Sequence, residues 1–170
     1  KKVYFGVSGE RKPDFFSKTT EVFLNRKYSH SISIYWSHDL EDFIITNAHG
    51  ESVQLDLVDD FYQKKQVVRL WECDVNDKQR KIYIRRVVAL DGVKYGDRQI
   101  FRIFFKKMFG IVFKFFRNKD KAMICSEYVD QLSIAVGLPN ASDIFDKNRD
   151  LLTPKDNVKA WEQFSEKYDR

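Results

Sequence analysis

The chain is short of several residue types. Two cysteines, three prolines and seven glycines are few for 170 residues. Two cysteines cannot build a disulfide framework, which excludes a small stapled secreted fold. So little glycine and proline excludes collagen-like and low-complexity chains. No uninterrupted apolar run reaches the ~18 residues of a membrane span. The start, Lys1-Lys2-Val3-Tyr4-Phe5, is basic but has neither a long apolar stretch nor a small-residue cleavage site. It does not read as a secretory signal. There is no initiator Met, so the start reads as processed or trimmed, which leaves room for a removed leader. There is no Gly-x-Gly-x-x-Gly and no loop ending in Gly-Lys-Ser/Thr, so nucleotide-driven chemistry has no support. A zinc site drawn from His30, His38, His49 and a cysteine lacks both Cys-x-x-Cys and His-Glu-x-x-His spacing. No cofactor and no metal are expected.

What is present is ordinary for a globular protein and rich in rings. Hydrophobic residues make up 43%, charged residues 32% and aromatics 15%, with 15 Phe. That content excludes disorder. At about 100–200 residues per domain, one domain over 1–170 is expected, with a core large enough to need no staples. Two free thiols fit a reducing compartment, so a cytoplasmic location is expected. The net charge is +5, and it is local. Between Arg98 and Lys121 stand eight basic residues and one acid, Asp120, so that segment carries +7 and the remainder about −2.

Periodicity places the elements. Lys2–Phe5 reads as a short strand and Phe15–Asn25 as a helix capped by Asp14. Ser29–Trp36 alternates strictly: His30, Ile32, Ile34 and Trp36 on one face, Ser29, Ser31, Ser33 and Tyr35 on the other. That is the pattern of a half-buried strand. Phe43–Ala48 pairs with it as a hairpin, and Ser52–Leu55 follows. Val58–Lys64 reads as a short helix and Gln66–Asp74 as a strand. Lys78–Leu90 reads as a helix capped from Asn76-Asp77 and ended by Gly92, although its β-branched residues also allow a strand. In Gln99–Arg117 phenylalanines recur at three- and four-residue steps, with Arg102, Lys106, Lys114 and Arg117 largely opposite. This is an amphipathic helix. Cys125–Val136 is a helix stopped by Gly137 and Pro139, and a last helix runs from Thr153-Pro154 to about Tyr168. The fold class is α+β: an antiparallel sheet from the first half packed against helices mostly from the second.

Two segments could carry chemistry. Tyr28-Ser29-His30-Ser31 puts a histidine at a strand start. Met123-Ile124-Cys125-Ser126-Glu127 puts a cysteine at a helix start. The thiolate is the nucleophilic form of cysteine. Unpaired N–H groups and the partial positive charge of a first helical turn favour it. The same N–H groups can hold the oxyanion formed when a carbonyl is attacked. An imidazole takes the thiol proton and returns it to the leaving group. A polar side chain orients the ring, and Asn47 on the neighbouring strand is the candidate, with Thr46 and His49 as rivals. The alternative for either residue is structural: a buried free thiol, as expected for Cys73, and a packed or solvated histidine, as for His38.

The order of short motifs goes further. Ser29-His30, Gly92-Val93-Lys94-Tyr95, Cys125-Ser126-Glu127 and Thr153-Pro154-Lys155-Asp156 follow one another along the chain. This resembles the circularly permuted NlpC-type branch of the papain-like cysteine hydrolases, in which the histidine strand precedes the cysteine helix. The resemblance spans nearly the whole chain. It implies a permuted papain-like fold, with Cys125 as nucleophile and His30 as general base and acid. It implies a third polar residue, often Glu in that family, at the position of Asn47. The expected substrate is a peptide, peptidoglycan-type or isopeptide amide bond, cleaved through an acyl-enzyme. A lipid or thioester acyl substrate is the alternative, as in the lecithin–retinol acyltransferase-like relatives of that fold. A non-catalytic binding module is the third reading. The basic helix 99–117 is read first as a core helix, with an anionic partner or membrane surface as its possible partner and nucleic acid disfavoured.

Overall fold

A computed structural model describes residues 1–11, 30–49, 51–96, 103, 122–138 and 140–168. The expected helix Phe15–Asn25, the expected helix Gln99–Arg117 apart from residue 103, and the Ser29 end of the histidine strand lie outside the described residues. Five strands are described: β1 (Lys2–Glu10), β2 (His30–Ser37), β3 (Asp42–His49), β4 (Ser52–Leu57) and β5 (Lys65–Asp74). They form one antiparallel sheet in the order β4-β3-β2-β1-β5. The helices are α1 (Val58–Lys64), α2 (Asp77–Leu90), α3 (Cys125–Ala135), α4 (Ala141–Ile144) and α5 (Pro154–Tyr168), with a 3-10 turn at Arg149–Leu151. The expected α+β class is what the molecule shows.

β1 is longer than the four residues expected from sequence. Gly6 and Gly9 interrupt the apolar pattern but not the strand. A Cβ on Gly6 would stand 2.4 Å from the Arg69 carbonyl oxygen and 2.5 Å from Leu70 Cδ2, so only glycine lets β5 lie this close. Lys78–Leu90 is a helix, settled locally by a capping box: Gln79 N donates to Asn76 Oδ1 at 2.9 Å, and Asn76 N donates to Gln79 Oε1 at 3.0 Å. Gly92, with φ of 73°, follows its end.

β2 is buried on both faces rather than one. Ser31, Ser33 and Tyr35 face α2, α3 and α5, whereas Ile32 and Ile34 pack with Ile45 and Phe61 of α1. The serines are small enough to admit the helices, and their hydroxyls are satisfied there. Ser33 Oγ bonds Tyr83 Oη at 2.7 Å, and Ser31 Oγ donates to Asn157 Oδ1 at 2.8 Å. The main core lies on this helix side, built from Val3, Phe5 and Val7 of β1 with Tyr83, Tyr128, Leu132 and Trp161. At ~25 cal/mol per Å² of buried apolar surface, those large side chains dominate its stabilisation.

Candidate active site

Cys125 is the first residue of α3. The preceding N-cap, Ile124, offers no side-chain acceptor to the first-turn amides. Instead, the backbone at Ser31, Ser126 and Cys125 itself favours the ionised sulfur. Ser31 lies one residue outside the β2–β3 register, which starts at Ile32↔Asn47. The nucleophile candidate therefore sits where α3 begins and β2 emerges, against the residue next to His30.

The short motifs converge on this point. Val53 N donates to Val93 O at 2.8 Å, and Tyr95 N donates to Glu51 O at 2.8 Å, so Gly92–Gly96 lies along the edge strand β4. From there Lys94 O accepts from Met123 N at 2.9 Å, and Met123 O accepts from Gly96 N at 3.1 Å, fixing the approach to Cys125. On the other side, Ser126 Oγ donates to Leu152 O at 2.9 Å. Thr153 N and Oγ1 donate to Asp156 Oδ2 at 2.8 and 2.7 Å, which starts α5 and brings Asn157 under Ser31.

Burial raises the thiol pKa of Cys125, which is 4% exposed; the Ser31 amide, the Lys65 ammonium and the two first-turn amides act in the opposite direction. Cys73, 6% exposed, is the contrast. Burial pushes its thiol up to about 12, and the acids Asp74 and Glu72 add to the rise. The reading of Cys73 as a buried free thiol stands.

His30 opens β2 opposite Ser8. By strand alternation it belongs with Ile32 on the α1 side of the sheet, and its Nε2 stands 3.6 Å from Glu10 Oε1. Cys125 belongs to the helix-side core. The two therefore lie on opposite faces of the sheet, with the imidazole turned to Glu10. Asn47 is buried on the α1 side, and its amide donates to Asp56 Oδ2 at 2.9 Å. Thr46 points to the opposite side and bonds the hydroxyl of Tyr128. The carboxylate facing the imidazole is Glu10, which sequence reasoning missed because the expected β1 ended at Phe5. Lys65 was missed too: its Nζ lies 3.7 Å from the same Glu10 Oε1.

Among the described residues no group of three or more His, Cys, Asp or Glu side chains could hold a metal. No described helix is long and apolar enough to cross a membrane. No protein-family model matches the chain, and no curated protein matches it.

Proposed function

We propose that the protein is a cysteine hydrolase of permuted papain-like type that cleaves an amide bond through Cys125. The observation that carries this reading is the placement of Cys125 at the head of α3, where the backbone at Cys125, Ser126 and Ser31, the residue that follows His30, favours the ionised sulfur. In this reading the imidazole turns about the end of β2 to the sulfur and takes its proton at Nδ1, while Glu10 serves Nε2 as the orienting group. Glu10 then fills the role that sequence reasoning gave to Asn47. The thiolate adds to the substrate carbonyl, and first-turn amides stabilise the oxyanion. The imidazolium protonates the leaving amine, the C–N bond breaks, and an acyl-thioester remains. Water, deprotonated by the same imidazole, releases the acid and restores the thiol.

The test is a substrate panel of peptide, isopeptide and muropeptide amides beside lipid esters and thioesters. Turnover of an amide, abolished in Cys125→Ala and reduced about 10²-fold or more in His30→Ala, supports the proposal. Turnover of the esters alone transfers the same nucleophile to acyl-lipid chemistry. No turnover, with no acyl adduct on Cys125 by intact mass, leaves a binding module.

A further inference from the structure

A lysine is costly to bury unless an anion faces it. The Lys65 side chain is only 7% exposed. The residue opens β5 and is paired with Glu10 across the β1–β5 ladder. Its presence there depends on a local irregularity. The register steps from Val7↔Arg69 to Ser8↔Val67, so Val68 is an extra residue in β5. Such a bulge reverses which side chains face which side of the sheet. Without it Lys65 would face the helix side. With it Lys65 joins Glu10, and its ammonium lies 5.8 Å from the Phe61 ring centroid. Arg11 ties the spot down from the backbone: its N donates to Lys64 O at 3.1 Å and its Nε to Lys65 O at 3.2 Å.

The charges around Lys65 come from four elements. Glu10 of β1 faces it, Asp56 of β4 and Cys125 of α3 act on it electrostatically, and His30 of β2 shares Glu10 with it. Burial draws the ammonium below its ordinary 10.5, and Glu10, Cys125 and Asp56 oppose that. Its positive charge in turn favours the ionised form of Cys125.

We infer that Lys65 is a positioning residue for the Cys125–His30 pair: its ammonium fixes the Glu10 carboxylate before the imidazole. This inference rests on the thiol chemistry proposed above. The ammonium, 3.7 Å from Glu10 Oε1, is buried, so salt screens this contact little. Its effect fades at alkaline pH, where the ammonium loses its proton and the thiol ionises unaided.

The test is the rate at which iodoacetamide modifies Cys125 between pH 5 and 10, read by peptide mass spectrometry on the full chain. Wild type is compared with Lys65→Arg, Lys65→Met and Lys65→Gln. The two neutral variants should react about tenfold more slowly at pH 7, with profiles displaced about one pH unit upward. Lys65→Arg should stay near wild type. Slow labelling of Cys73 reports an intact core in each variant. If Lys65→Met loses that protection, Lys65→Gln, which keeps a polar contact for Glu10, decides. Superposed profiles for wild type and the folded neutral variants overturn the role of Lys65 while leaving Cys125 as nucleophile. A wild-type Cys125 no faster than Cys73 overturns the thiol chemistry and Lys65's role together.

Discussion

Cys73 and Cys125 are almost equally buried, yet the charges around them differ in sign. Burial keeps Cys73 protonated and Asp74 and Glu72 add to the effect, so it behaves as a small hydrophobe. Its folded pKa of about 12 lies above the ordinary 9.0. The folded state therefore holds a proton that the unfolded chain releases. This contribution to stability is complete below pH 9 and is lost as pH rises towards 12, at about 1.4 kcal/mol per unit. Urea midpoints at pH 8 and pH 10.5 should show a smaller alkaline loss in Cys73→Val than in wild type. Asp130 is a second residue with a definable task. Fully buried in α3, it accepts from Ala141 N at 2.6 Å, Ser142 N at 3.2 Å and Ser142 Oγ at 2.8 Å. Asp130→Ala strands these donors and should cost about 2–4 kcal/mol by urea denaturation.

At the scale of elements, sequence and structure agree where a local signal is strong. The alternation of β2, the Asn76–Gln79 box of α2 and the Thr153–Asp156 start of α5 were legible because neighbouring residues alone decide them. β1 runs on past the expected end at Phe5, through Gly6 and Gly9. The reason for Gly6 lies across the ladder, in a β5 backbone that no single-segment pattern contains. Gly6→Ala should therefore destabilise by about 1–3 kcal/mol despite its higher strand propensity, as a shift in thermal midpoint would show. The Val68 bulge was invisible for the same reason, and with it the meeting of Lys65 and Glu10. Thr153→Ala removes one side-chain bond of the α5 box and should cost about 1 kcal/mol in urea.

At the scale of the molecule, the candidate site is an assembly of distant segments. β2 brings Ser31 and His30, α3 brings Cys125, β4 holds the Gly92–Gly96 segment, and α5 closes under Ser31 through Asn157. Sequence order pointed to Cys125 and His30 because each sits at an element boundary with its own local signature. Glu10 had no such signature; strand pairing alone brings it to His30. The direct measurement of the central claim is the iodoacetamide labelling rate of Cys125 relative to Cys73 at pH 7, in wild type and in His30→Ala. The account predicts that Cys125 reacts at least about tenfold faster than Cys73 in wild type, and that His30→Ala removes most of that advantage. Equal rates for the two thiols, or an advantage unchanged without the imidazole, would contradict it.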